Sequence, residues 1–332
     1  MTQNESYRIG VGLTTAMSQK TIDSVLDGVD NSGARSVWIG EDMGRGHDIF
    51  VLAAAAVMRT RTARVGTAIV PVATHTIMDI AKAAASLHAL RLGSFVLGIG
   101  IGGMQDLRRL GIAVERPVTM LRDAIRNLRA LWMGEEVSLE FVKDEPVVVS
   151  IDRKTPVSIP IFLGVRGPQM LRLAGELADG VILSGPARYI EWAIRRVKEA
   201  TRDAHRRARD VEIVVWKPVI TTKMPNRDAL AKRIVAIVVA DTPSSILGML
   251  DINQDRVSRL KEAVARGQLD AGAKLVSSEM IEEFSITGTP RQVAEKFSHF
   301  AQMGVTEFVF GPPFGRNWRE TIRDVLTHAR NL

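Results

Sequence analysis

Short apolar segments alternate with helical patterns along the whole chain, and this alternation limits the possible folds more than any other feature. Strands are predicted over residues 7–13, 36–39, 64–70, 159–163, 181–183, 212–220 and 307–310, with one more from Phe95 into a run of glycines. Apolar residues recur at helical spacing between them, over 49–58, 76–90, 117–133, 168–177, 189–207, 226–240 and 318–329. The strands are apolar without strict alternation, as expected of parallel strands buried on both faces. Eight strand-helix units in 332 residues fit an α/β fold, a (β/α)₈ TIM barrel, as a single domain over residues 1–332. Two stretches interrupt the pattern. Residues 137–151 read as a β-hairpin with Asp144-Glu145-Pro146 at its tip, and residues 242–284 as a helical insertion.

Composition excludes several function classes. There is no cysteine, so disulfides, thiolate metal ligands and cysteine nucleophiles are ruled out. The six histidines are scattered without ligand spacing, so no metal site is expected. No apolar run approaches the roughly 18 residues of a membrane span, and residues 1–7 carry no secretory pattern; a cytoplasmic protein that does not engage membranes is expected. The formal net charge is +7. Its densest part (Arg195, Arg196, Lys198, Arg202, Arg206, Arg207 and Arg209) is interleaved with acids on one amphipathic helix. That pattern reads as a solvated face rather than a nucleic-acid surface. The positive field favours an anionic small molecule.

A barrel binds its ligands at the C-terminal ends of its strands. Read from the sequence, these ends are Gly12, Gly40-Glu41-Asp42, Ile69-Val70-Pro71, Gly100 to Gly103, Leu163-Gly164, Ser184-Gly185, Thr221-Thr222 and Gly311-Pro312. Glu41, Asp42, His47 and His75 are the acids and imidazoles near the early ends. Gly98, Gly100 and Gly103, with Gly102 between, formally match a dinucleotide fingerprint. The acid at the required spacing, Asp123, lies inside a predicted helix, which argues against a dinucleotide fold. Two readings of these glycines stand: close approach of a flat ligand, or tight barrel packing. Residues 164–168, Gly-Val-Arg-Gly-Pro, precede a helix whose first turn holds proline. Free N–H groups and the helix dipole there suit an anion, with Arg166 adding charge; a simple helix cap is the alternative. His75 either contacts a ligand or packs the loop.

At these segments the chain resembles the luciferase-like superfamily, and within it the methylenetetrahydromethanopterin reductases that use the deazaflavin coenzyme F420. The resemblance is carried by Gly98-Ile99-Gly100-Ile101-Gly102, by Leu110-Gly111-Ile112 with Pro117-Val118 and Leu121-Arg122-Asp123, and by Ile159 to Gly164 with Gly167-Pro168. It continues in Ala174-Gly175-Glu176-Leu177-Ala178-Asp179-Gly180, Glu283-Phe284-Ser285, Gly288-Thr289-Pro290 and Met303-Gly304-Val305-Thr306. It implies a luciferase-like barrel with a non-prolyl cis peptide at Ala68-Ile69, in a bulge backing the deazaflavin. Thr67, Ala68, Ile69, Val70, Gly98, Gly100, Gly102, Gly103 and Ser184 would border the cofactor. Gly164, Val165, Arg166, Gly167 and Pro168 would hold its phosphate-bearing chain. Glu41 and Asp42 would be the catalytic acids, with Gly12 and His75 toward a small-molecule substrate. The reductases carry a carboxylate where this chain has Gly12 and another where it has Gly103, so a wider pocket is one expectation. The activity implied is hydride transfer to an acceptor, a methylene-tetrahydropterin being the best single choice. The alternatives are an FMN-dependent monooxygenase and a non-catalytic cofactor-binding barrel. A homodimer or homotetramer is the implied assembly.

Overall fold

In the computed structural model, residues 7–44, 46–139, 147–151 and 156–331 are described. Eight staves close into one parallel barrel: β1 (Arg8–Thr14), β2 (Ser36–Gly40), β3 (Arg64–Thr67), β4 (Phe95–Gly100), β5 (Ile161–Gly164), β6 (Gly180–Leu183), β7 (Glu212–Trp216) and β8 (Glu307–Phe310). Each pairs in parallel with the next, and β8 closes on β1 through Ile9 opposite Phe308 and Val11 opposite Phe310. Helix ends follow local chemistry. Helix Pro117–Met133 starts with proline at its first turn and ends on Gly134 at φ 83, where a residue without Cβ carries no left-handed penalty. Helix Pro290–Gln302 opens with a capping box between Thr289 and Gln292.

The barrel interior is layered. At its N-terminal end the fully buried Glu307 carboxylate accepts from Ser36 Oγ, Trp38 Nε1, Arg8 and Arg64, and Glu212 joins both arginines. Above it Trp38, Val96, Phe162, Ile182, Val214 and Val309 form an apolar layer, and Ala68, Ile69 and Trp216 lie against that layer. The Arg64 guanidinium sits 5.5 Å from both the Trp38 and Phe162 ring centres, which favours a cation over the ring faces.

Several expectations are corrected. The third strand does not run unbroken over 64–70: it stops at Thr67 and resumes as Val70–Pro71. The seventh ends at Trp216 rather than near Ile220. Pro218 has no N–H to continue the ladder, and its carbonyl accepts from Ile286 N instead. The chain then forms a separate parallel pair, Val219–Thr221 with Ile286–Gly288. The helix predicted over 189–207 is Ala187–Asp203. Arg206 is only partly exposed: its guanidinium donates to the carbonyls of Gly175, Ala178 and Asp210. A helix absent from the sequence reading covers Met104–Arg109. The hairpin pairs Val137–Leu139 with Val147–Val149; its expected tip, Asp144-Glu145-Pro146, lies outside the described residues. Residues 242–284 contain helices Ser244–Leu247, Gln254–Ala265, Leu269–Lys274 and Ser278–Phe284. These share a second apolar cluster with Val235, Ala236 and Val239 of helix Arg227–Asp241. Among the described residues no helix is long and apolar enough to cross a membrane.

Candidate functional site at the barrel mouth

The break in the third stave shapes the mouth. The Ala68-Ile69 peptide is cis, at the position the resemblance implies. Thr67 Oγ1 spans the gap, donating to Gly98 O and accepting from Gly98 N, both at 2.8 Å. A Cβ on Gly98 would overlap the Thr67 carbonyl, and one on Gly164 would overlap the Ile69 side chain. One on Gly100 would lie 3.1 Å from Ile69 and 2.7 Å from Gly164 O. These three glycines therefore make room for the bulge itself. Gly102 and Gly103 differ. Gly102 has φ 108 and packs on Met43 and Pro71. Gly103 is exposed, and among the described residues a Cβ added there would have only Asp106 Oδ2 near it, at 3.4 Å.

Gly12 does not widen the pocket. A Cβ there would meet Gly311 O at 2.7 Å and the indole of Trp216, whose Cε2 lies at 2.7 Å. Trp216 ends β7, reaches across β1, and comes within 3.7 Å of the Cβ position of Gly40. Its Nε1 donates to Gly311 O at 2.9 Å. The space freed by the glycine is filled by an indole brought from β7, two staves away around the barrel.

The two acids after β2 part ways. Asp42 Oδ2 accepts from Ala16 N at 3.1 Å while its own N–H donates to Thr15 Oγ1 at 2.8 Å, so it braces the loop after β1. Glu41 turns to His75: Nε2 lies 3.1 Å from each carboxylate oxygen. The pair is largely buried, with side chains 16% and 18% exposed, and the imidazole meets Phe50 edge-on. The hydrogen bond that the imidazole donates to Glu41 holds the His75 pKa above its ordinary value despite burial, with Asp48 and Asp79 adding to the field. The raised folded-state pKa fixes a sign. The pair stabilises the fold fully below the imidazole's free pKa of about 6.5, and this contribution is lost as pH rises through the raised value. His75→Ala is therefore expected to shift the urea midpoint more at pH 6 than at pH 9; equal shifts would show that no such linkage exists.

On the opposite rim, Gly167 has φ 86 and precedes helix Pro168–Leu177, with Pro168 in its first turn. Val165 is buried, and Arg166 is partly exposed. The Arg166 guanidinium lies a loose 3.7 Å from the Asp241 carboxylate. Beneath the turn Tyr189 is 1% exposed and its hydroxyl has no partner at hydrogen-bond geometry. Burial pushes this phenol up to about 12, against the opposing pull of Arg166 and of the Gly167 N–H. Ser184 follows Ile182 by two residues at the end of β6 and so continues its inward-facing alternation. His47 is exposed, and its N–H donates to Thr15 O.

The sequence reading missed Trp216, Tyr189 and Phe50. Trp216 had a usable signal. Glu212, Val214 and Trp216 alternate inward, and Pro218 marks the end of the ladder. With the strand extended to Ile220, the rim was placed at Thr221-Thr222 instead.

Comparison with known proteins agrees with this architecture. Residues 6–307 match the family described as luciferase-like monooxygenase. The chain is 28% identical over 324 residues to the 5,10-methylenetetrahydromethanopterin reductase of Archaeoglobus fulgidus, covering 95% of this chain and 96% of that protein. The solved coenzyme F420 dependent tetrahydromethanopterin reductase from Methanopyrus kandleri superposes with a TM-score of 0.84 at 23% identity, covering 97% of this chain and 98% of the other. An F420-dependent secondary alcohol dehydrogenase in complex with an F420-acetone adduct gives 0.75 at 17% identity, with coverage of 97% and 99%. The chain belongs to the luciferase-like monooxygenase family, and within it resembles the methylenetetrahydromethanopterin reductases.

Proposed function

We propose that this protein is a coenzyme F420-dependent oxidoreductase that moves a hydride between the deazaflavin and an acceptor, best matched by a methylene-tetrahydropterin. The observation that carries the reading is the pairing of a flat apolar floor with an anion-ready turn at one barrel mouth. Ala68 and Ile69 supply the floor. The turn at 164–168 supplies a helix N-terminus, Arg166 and, beside the Gly167 N–H, the buried hydroxyl of Tyr189. Such a turn suits the phosphate of the cofactor chain, so the residues present fit the group. The sequence similarity to reductases of this substrate supports the choice of acceptor.

When bound, the deazaflavin supplies the hydride. The chain's own residues hold the reactants at contact and exclude water from the floor. A methylene-bridged pterin takes up one hydride and one proton in becoming the methyl form. The His75–Glu41 pair, in which the carboxylate keeps the imidazole protonated to higher pH, is the rim group suited to hold that proton. The test is turnover: reduced F420 and methylene-tetrahydromethanopterin should give the methyl product in equal amount to the F420 oxidised. No oxidation with this acceptor would refute the assignment of substrate.

Arg166 supplies a second test. A hydrogen bond to a charged group contributes about 1.5–3 kcal/mol. Arg166→Ala should therefore raise the Kd of F420 by about ten-fold or more, with the effect shrinking at high salt. An unchanged Kd would remove the turn at 164–168 from the cofactor site.

A further inference from the structure

We propose that Trp216 is the specificity-determining residue of the mouth, presenting its indole face to a planar, uncharged ring of the hydride acceptor; this rests on the reading of the mouth as the reaction site. Three glycines on three strands seat two large side chains at the base of the mouth. Gly100 on β4 and Gly164 on β5 accommodate Ile69, while Gly12 on β1 accommodates Trp216. The indole is only partly buried, unlike Trp38 in the layer below. A molecule entering from the C-terminal side therefore lands on it.

The chemistry of this surface is narrow. The one polar atom of the Trp216 side chain is already committed to Gly311 O. What remains for a ligand is the ring face, which favours offset stacking of a conjugated ring and offers nothing to orient an anion. Position 12 cannot carry a longer side chain while the indole lies there, since even a Cβ overlaps it. Gly12 and Trp216 thus form one device: the glycine lets the indole in, and the indole replaces a polar floor with an aromatic one. Discrimination among acceptors then comes from ring stacking rather than from a charge on β1.

The test compares wild type with Trp216→Ala, Trp216→Phe and Gly12→Ala, each checked for native far-UV circular dichroism. The first readout needs no cofactor. Methylene-tetrahydromethanopterin is titrated while tryptophan emission is followed, and the Trp216 signal is taken as the difference between wild type and Trp216→Phe. A saturable quench of that component is expected, and its absence overturns the proposal whether or not F420 binds. The second readout is kinetic. Trp216→Ala should raise KM for the pterin about ten-fold, the scale of a stacked aromatic pair, and leave the Kd of F420 within about three-fold of wild type. Trp216→Phe should restore most of the loss. Gly12→Ala, which keeps the tryptophan but displaces it, should reproduce the KM defect. A KM unchanged in both Trp216→Ala and Gly12→Ala, or a loss confined to F420 affinity, would contradict the assignment. Failure of F420 to bind wild type, with the Trp216 quench intact, would instead refute the cofactor reading alone.

Discussion

Replacing Glu307 by alanine lowers the stability of the fold by about 3–5 kcal/mol, the cost of leaving a buried charge without its partner. The carboxylate is fully buried at the N-terminal end of the barrel and receives Ser36, Trp38, Arg8 and Arg64. Burial works against the charge of Arg64, yet Glu307 and Glu212 together hold its pKa above the ordinary value. Removal of Glu307 strips the cation of its fully buried partner and leaves the Trp38 N–H and Ser36 hydroxyl without their acceptor. Glu212 cannot replace it for Ser36 or Trp38, because the described bonds of Glu212 reach only the two arginines. The mouth is a separate layer, so F420 affinity of the protein that remains folded should change little. Urea unfolding at pH 7 checks the first statement and F420 titration the second. A midpoint near that of wild type would mean that the network contributes little to stability.

Gly98→Ala should be nearly as damaging, by about 3 kcal/mol, the upper end for overpacking. Its new methyl would overlap the Thr67 carbonyl, which is main chain and held in place by the hydrogen bonds around it. Relief requires β3 and β4 to separate at the bulge, moving Ala68 and Ile69 off the floor. Both stability and F420 affinity should therefore fall. Gly103→Ala is the matching control in the same segment. Its φ of −68 suits any residue and the position is exposed, so a change within about 0.5 kcal/mol is expected. Similar thermal midpoints for the two variants would contradict the account of why Gly98 is glycine.

The contrast between these two glycines marks how much of the protein was legible in its sequence. The eight strands and the helix ends are local matters. Pro117 and Gly134 bracket one helix, and residues 307–310 stand as a strand in both reading and structure. Recognition of the barrel and of the family followed from local pieces in order. What was not legible depends on strands far apart in the chain. Gly98, Gly100 and Gly12 look alike in sequence, yet the first two serve Thr67 and Ile69 and the third serves Trp216, which stands 204 positions on from Gly12. Glu41 and His75 meet only because adjacent staves end side by side. Arg206 belongs by spacing to a solvated basic face, but its guanidinium turns inward to three carbonyls, a choice that no charge pattern reveals.

The most direct test of the central claim is parallel titration of the purified protein with F420, FMN and NADPH, followed by ligand fluorescence or calorimetry, on wild type and Arg166→Ala. Tighter binding of F420 than of either other cofactor, weakened by the substitution, is the predicted result. Preferential binding of FMN would assign the mouth to a flavin-dependent monooxygenase, and binding of none of the three would contradict the cofactor site at the Ala68-Ile69 floor and the turn at 164–168.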